Sequence, residues 1–172
     1  MLQRCRGASN MPILIFDTDF LSSFLQIGRC ELIREFYRVD QAWVPAAVYR
    51  ELAQTDLLTM LLAVPWLRVP PIEPSPNEIL LQNSTFQSLG GGERACITLA
   101  YAQTDTVVLM SDNKARQFAR SLDIDAINIP AFLLACKIVG LVDTKTMTQI
   151  IKDLKDKDFY EFKKDVRDEL LK

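Results

Sequence analysis

The feature that most constrains this chain is the apolar run Ile13–Phe16, which is followed at once by Asp17, Thr18 and Asp19. Four consecutive apolar residues without helical spacing predict a short strand that is buried on both faces. Apolar residues then recur with a helical period over residues 20–25. The acids therefore fall on a strand-to-helix turn at the carboxyl end of a strand, where open α/β sheets bind ligands. The alternative is that an aspartate here only caps the helix.

A second strong apolar run spans residues 106–110 and is followed by Ser111 and Asp112. Shorter extended segments are expected near residues 43–44, 67–69 and 125–129, with helical patterns between them. Strands that alternate with helices predict an α/β fold: a three-layer α/β/α domain around a central parallel sheet of about five strands. Because parallel strands end at the same edge, we expect the carboxylates that follow the first and second runs to converge there.

Composition narrows the chemistry, because the chain contains no histidine. This excludes Ser-His-Asp and Cys-His catalysis and removes the usual nitrogen ligands of zinc. Twenty Lys and Arg against 22 Asp and Glu give a net charge of -2, so nucleic-acid binding would depend on a local basic rim. Four scattered cysteines, without a CxxC pair, are typical of reduced thiols and predict a cytoplasmic location. They are Cys5, Cys30, Cys96 and Cys136.

We expect residues 1–11 to form a flexible lead-in, since they lack the apolar segment of a signal peptide. Residues 12–172 are then a single domain that ends in two helices, over residues 144–154 and 159–171. A further helix is predicted over residues 77–89, ended by the glycines at 90–92. No apolar run approaches the roughly 18 residues that a membrane span requires.

Two glutamates are placed to join the strand-end aspartates. Glu51 lies in a helix that follows a short strand, and Glu93 begins a helix after three glycines. Each has a plainer interpretation, as a surface residue for Glu51 and as a favourable charge at a helix N-terminus for Glu93. Several carboxylates that converge without lysine partners repel one another unless a cation neutralises them. Oxygen ligands of this kind suit Mg²⁺ or Mn²⁺, the ions of phosphodiester-cleaving sites.

Four segments carry a resemblance to a known family: residues 15–21, 44–52, 89–97 and 109–116. In this order and spacing they resemble the acidic motifs of the PIN-domain family of metal-dependent ribonucleases, which includes VapC-type toxins. The segment at 137–143 also resembles the family's region after the last strand. The resemblance implies an endoribonuclease that uses Mg²⁺ or Mn²⁺ and has RNA as a partner. The toxin of a VapBC-type system, with an antitoxin protein as a second partner, is one form of this expectation.

Carried over by position, the resemblance makes four acids both the catalytic residues and the metal ligands: Asp17, Glu51, Glu93 and Asp112. Thr18, Asp19 and Ser111 would be auxiliary residues, with Thr18 or Asp19 orienting the first acid or a water. Asp19 departs from the small polar residue usual in the family, and Ser111 stands where many relatives carry another acid. RNA phosphates require cations near the acidic edge. The predicted RNA-binding residues are Arg116, Lys114 and Arg94, with Arg116 favoured.

Two other functions stay open on these residues. The departures at Asp19 and Ser111 also suit a catalytically weak PIN-like module that binds RNA or a protein partner. Strand-end acids suit a small-molecule phosphohydrolase as well. Apolar helix faces near residues 21–37 and 57–64 would support a homodimer, but a buried core explains them equally well.

Overall fold

The structure is a computed structural model, and it describes residues 11–172. Its centre is a five-stranded, all-parallel sheet with the strand order β3-β2-β1-β4-β5. The strands are β1 (Ile13–Phe16), β2 (Ala42–Trp43), β3 (Leu67–Arg68), β4 (Thr106–Leu109) and β5 (Asp125–Ile127). Helices flank the sheet, which confirms the predicted three-layer α/β/α architecture.

Eleven helices are found between residues 11 and 172, and several begin directly after a strand. They are α1 (Thr18–Gln26), α2 (Cys30–Tyr37), α3 (Ala46–Ala53), α4 (Leu58–Leu62), α5 (Glu78–Leu81), α6 (Ser84–Gln87), α7 (Gly91–Tyr101), α8 (Asn113–Ser121), α9 (Ile129–Ile138), α10 (Thr144–Asp158) and α11 (Lys164–Leu171). The N-cap residues Asp17, Asp112 and Asn128 follow β1, β4 and β5 closely, and each accepts a backbone hydrogen bond. Short polar side chains thus set the start of these helices.

The register of the two central strands decides where the acids lie. Ile13 pairs with Thr106 and Phe16 pairs with Leu109, so β1 and β4 begin and end side by side. Both are buried almost throughout, as continuous apolar runs predict. The residues that follow them therefore emerge at the same edge of the sheet.

Aromatic rings fill the core beside β1. Phe20 stacks on Phe24 with 5.1 Å between the ring centroids, and Phe24 meets Phe132 of α9 edge-on at 5.5 Å. Phe16, Phe20 and Phe24 are fully buried in this core. Phe118 is also buried, and Trp43 is partly buried against the same core.

Three helix predictions were wrong in their bounds. The helix predicted over residues 77–89 is two short helices, because the Asn83 side chain accepts a hydrogen bond from the Phe86 amide and starts a second one. The final helix begins at Lys164 rather than 159, because Phe159 adopts a left-handed conformation that ends α10. Helix α10 itself runs four residues past the predicted residue 154.

Residues 1–10 of the predicted lead-in, with Cys5, lie outside the described residues. The other three cysteines are free and buried, as predicted: Cys30, Cys96 and Cys136. Over residues 11–172, none of the helices has the length and apolar character needed to cross a membrane.

Candidate active site

Asp17, directly after β1, is only 2% exposed and accepts two backbone hydrogen bonds. Its Oδ1 accepts from the Phe20 amide at 2.8 Å, which caps α1, and its Oδ2 accepts from the Ser111 amide at 3.0 Å. One carboxylate oxygen of Asp17 therefore caps α1, and the other connects the ends of β1 and β4. Burial, with smaller contributions from the charges of Asp19 and Glu93, raises the pKa of Asp17 to about 7 in spite of both hydrogen bonds.

Glu51, in the second half of α3, points its carboxylate at the neighbouring elements although the residue is exposed overall. Its Oε1 accepts a hydrogen bond from the Gly92 amide at 3.2 Å. The Thr18 hydroxyl donates to the other carboxylate oxygen. Thr18, predicted to orient the first acid or a water, thus contacts the second acid of the set.

The three glycines begin a helix as well as ending the preceding segment. Gly90 is the N-cap of α7, and Glu93 folds back so that its Oε2 accepts the Gly90 amide at 2.7 Å. At Gly92 a Cβ would come within 2.9 Å of Glu51 Oε2 and 3.1 Å of Thr18 Oγ1. The missing side chain therefore leaves the space that the Glu51 carboxylate occupies.

Glu93 faces the charges of the other candidate acids. Partial burial is the main cause that raises its pKa, and the charges of Asp112, Asp19 and Glu51 raise it further, against the opposing hydrogen bond from Gly90. The pKa of Glu93 is thus coupled to acids from three other segments of the chain. A cation bound among these acids would favour their ionised forms.

Asp112 caps α8 as Asp17 caps α1, but it is exposed. Its Oδ1 accepts from the Ala115 amide at 2.7 Å. The preceding Ser111 contributes its amide to Asp17, while the Ser111 hydroxyl is buried without a hydrogen-bond partner among the described residues. Of the predicted auxiliary residues, Ser111 acts here through its backbone.

These segments enclose an open depression of about 350 Å³ at the carboxyl edge of the sheet. Its lining is Asp17, Thr18, Asp19, Glu51, Gly90, Gly92 and Glu93. Three of the four predicted acids share this depression, together with the auxiliary residues Thr18 and Asp19. Asp112 is not part of the lining. Its charge raises the pKa of Glu93, and the amide of the adjacent Ser111 donates to Asp17.

The donor set suits a hard divalent cation. Asp17 is a buried carboxylate, and none of the salt bridges found between residues 11 and 172 involves any of the four acids. All the side-chain donors at this edge that could meet a metal are carboxylate or hydroxyl oxygens, which Mg²⁺ and Mn²⁺ prefer. Within the described part of the chain, no three His, Cys, Asp or Glu side chains already stand at positions that would hold a metal ion.

The predicted RNA-binding cations lie in different surroundings. Arg116 is only 9% exposed, and its guanidinium donates to the Ser111 carbonyl and to Asn113. Lys114 is exposed and donates to Ser88 Oγ at 2.7 Å, and Arg94 is exposed on α7. Their contact with RNA stays a prediction.

Sequence reasoning missed two supports of the site. One is the Ser111 amide, and the other is Cys96, whose buried thiol donates to the Phe16 carbonyl at 3.2 Å and so fixes the end of β1 below Asp17. Cys96 lies on α7, and which residues of that helix face β1 depends on the tertiary arrangement.

A family model described as a PIN domain, DUF3368, matches residues 13–172. That range begins at the first residue of β1 and includes all eleven helices. No curated protein matches the chain.

Proposed function

The chain belongs to the PIN-domain family, whose members are generally nucleases, and from this premise we propose that it is a metal-dependent endoribonuclease. In this proposal Asp17, Glu51, Glu93 and Asp112 are the catalytic residues and hold Mg²⁺ or Mn²⁺. PIN domains typically use divalent metal ions. The substrate is the phosphodiester backbone of RNA.

The observation that carries the proposal is the state of Asp17. A carboxylate that is 2% exposed, with a pKa raised to about 7 and further carboxylates beside it, is unfavourable as an anion in the metal-free protein. A divalent ion in the depression would reverse this cost, because it supplies the positive charge that no described side chain provides. The site is thus suited to bind a cation before it binds an anionic backbone.

Each residue has a distinct part in this proposal. A bound divalent ion supplies activation of a water and stabilisation of the leaving oxygen. Asp17 is the innermost ligand, kept in orientation by the amides of Phe20 and Ser111. Glu51 is held by Thr18 and Gly92, so its carboxylate is aimed before the ion arrives.

Substrate binding is assigned to the rim. Arg94 and Lys114 are exposed cations on α7 and α8, the two helices that begin at Gly91 and Asn113 beside the acids. Arginine and lysine contacts to phosphates position a nucleic acid without reading its sequence. Asp19, at the mouth of the depression, adds a further negative charge and so requires a metal ion there before RNA approaches.

The test is Mn²⁺ binding by calorimetry together with RNA cleavage by the same preparation. We expect wild-type protein to bind Mn²⁺ and to cleave RNA only with the ion, and Asp17→Asn to lose both while its circular dichroism is unchanged. RNase activity that persists unchanged in EDTA would refute the metal mechanism. Lys152→Gln, an exposed change on α10 outside the depression, is the control and should keep both properties.

We also propose a narrower role, that of a VapC-type toxin that acts in the cytoplasm, binds an antitoxin protein and forms a homodimer. Its support is the family membership alone. Expression of the wild-type chain should then arrest cell growth, and Asp17→Asn should not. Sedimentation of the purified protein at the mass of a monomer would remove the homodimer from the proposal.

A second candidate is a PIN-like module with weak catalysis that binds RNA or a protein. It is favoured by the finding that, over residues 11–172, no three potential ligands already stand in position to hold a metal. Retained RNA binding with no measurable Mn²⁺ binding would select this candidate over the nuclease.

A further inference from the structure

Arg116 lies one turn into α8 and is almost enclosed, with 9% of its surface exposed. Its Nη1 donates to the Ser111 carbonyl oxygen at 2.7 Å, and its Nη2 donates to Asn113 Oδ1 at 3.0 Å. These acceptors lie on either side of Asp112 in the chain. The guanidinium therefore holds the turn between β4 and α8 both before and after that acid.

The same turn also holds Asp17. The Ser111 amide donates to Asp17 Oδ2 at 3.0 Å, while the Ser111 carbonyl accepts from Arg116. One residue thus connects the buried acid at the end of β1 to the buried cation of α8. Any rotation of the turn that broke the contact with Arg116 would also move the amide away from Asp17.

We infer that Arg116 is a positioning residue of the acidic edge, which fixes the segment 111–113 so that the Ser111 amide keeps its bond to Asp17 and Asp112 keeps its position at the start of α8. The inference rests on the proposed function for its effect on metal binding, but not for its effect on the turn. It replaces the predicted contact between Arg116 and RNA. Both terminal nitrogens of the Arg116 guanidinium donate hydrogen bonds within the protein, and its third nitrogen, Nε, is buried.

The geometry requires an arginine. A planar guanidinium can donate in two fixed directions at once, and a lysine ammonium on a flexible stem cannot reproduce that fork. Arg116→Lys should therefore keep the charge and one of the two contacts. Arg116→Gln removes the charge and the fork together.

Helix α8 supplies a matched control. Arg120 lies one turn beyond Arg116, and its Nη2 donates to the Ala126 carbonyl of β5 at 2.7 Å. It makes the same kind of bond from the same helix, and among the described residues it makes no hydrogen bond to the segment 111–113. Arg120→Gln therefore tests whether any loss of such an arginine disturbs the site.

The first experiment is hydrogen exchange of the Ser111 amide in the metal-free full chain. We expect exchange to be about tenfold faster or more in Arg116→Gln, less accelerated in Arg116→Lys and Asn113→Ala, and unchanged in Arg120→Gln. Asn113→Ala removes one acceptor from an exposed position, so it keeps the test valid if Arg116→Gln fails to fold. Unchanged exchange in Arg116→Lys and Asn113→Ala would overturn the inference.

The second experiment compares Mn²⁺ affinity with RNA affinity. Loss of a residue that orients metal ligands typically costs about 10-fold to 100-fold in metal affinity, and we expect this for Arg116→Gln, with partial rescue in Arg116→Lys. RNA binding at saturating Mn²⁺ should stay unchanged. Weaker RNA binding with normal Mn²⁺ affinity would make Arg116 an RNA contact instead. If wild-type protein binds no Mn²⁺, the proposed function fails, and the exchange measurement still decides the role of Arg116.

Discussion

The ends of β1 and β4 have the same local design but lie at different depths. In both, an apolar strand leads to an aspartate that caps the next helix, Asp17 for α1 and Asp112 for α8. Asp17 is 2% exposed and has both carboxylate oxygens hydrogen-bonded, whereas Asp112 is exposed and has one bonded. Helix capping is therefore the structural role that Asp17 and Asp112 share. Only the deeper acid also carries a large electrostatic cost that a bound cation would relieve.

The largest difference between Asp17 and Asp112 should appear when each acid is neutralised in turn. We expect Asp17→Asn to lower Mn²⁺ affinity and RNA cleavage by more than about 100-fold, beyond the usual cost of losing a residue that only supports a ligand. Asp112→Asn should also abolish cleavage but should leave weak Mn²⁺ binding, because the other three acids share the depression. Calorimetry and an RNA cleavage assay measure the two properties. Full cleavage by Asp17→Asn would contradict the assignment.

The pH dependence of stability should also distinguish Asp17 from Asp112. The folded-state pKa of Asp17 is raised from the ordinary 3.8 to about 7, so the folded protein binds this proton more tightly than the unfolded chain does. Its contribution to stability is therefore fully present below about pH 4 and is lost as the pH rises to about 7, a change of about 4 kcal/mol at most.

Urea unfolding of the metal-free protein across this pH range measures the effect. The part of the loss that Asp17 causes should be absent in Asp17→Asn and retained in Asp112→Asn, so the difference between the variants isolates Asp17 from Glu93, whose pKa is also raised. Saturating Mn²⁺ should also remove the loss in the wild type. The same pH dependence in Asp17→Asn as in the wild type would show that Asp17 is not the group responsible.

A smaller effect is expected from the glycines on the Asp17 side of the site. In Gly92→Ala the new Cβ would stand 2.9 Å from Glu51 Oε2 and 3.1 Å from Thr18 Oγ1, so the Glu51 carboxylate must move. We expect about tenfold weaker Mn²⁺ binding, as for disturbed support of a ligand. In Gly91→Ala the nearest atom is Glu51 Oε1 at 3.7 Å, an ordinary contact, and the affinity should be unchanged. Equal affinities in the two variants would contradict this account of Gly92.

The smallest effect concerns capping at the exposed end. Asp112→Ala removes the acceptor for the Ala115 amide, and we expect a loss of about 1 kcal/mol in the free energy of unfolding of the metal-free protein. Asp112→Ser should restore most of it, since serine also caps helices well. Thermal or urea unfolding at one pH measures both variants. A loss in Asp112→Ser as large as in Asp112→Ala would show that charge rather than capping is the cause.

Much of the fold followed from local pattern. The runs at Ile13–Phe16 and 106–110 predicted parallel strands, and the acids behind them predicted the edge where the depression lies. These are consequences of burial and strand direction, which a single sequence expresses directly. The family resemblance then supplied the order of the four acids, and the match over residues 13–172 confirms the family.

The rest depended on tertiary contacts that no local pattern expresses. Arg116 looks like any helical surface cation in the sequence, yet its guanidinium is buried under the turn after β4. Asn83 divides a predicted helix because its side chain bonds a backbone amide, and asparagine has this option in many places without using it. The Ser111 amide supports Asp17 through the backbone, which every residue carries.

Anomalous diffraction from a crystal of the wild-type protein soaked in Mn²⁺ would show directly whether the acids at this edge of the sheet hold a metal ion. The account predicts an anomalous peak in the depression, with a carboxylate oxygen of Asp17 within about 2.1 Å of the ion, the distance usual for small hard divalent cations. Further oxygens from Glu51, Glu93 or Asp112 should complete the protein ligands. A crystal that binds Mn²⁺ elsewhere, with no peak at this edge of the sheet, would contradict it.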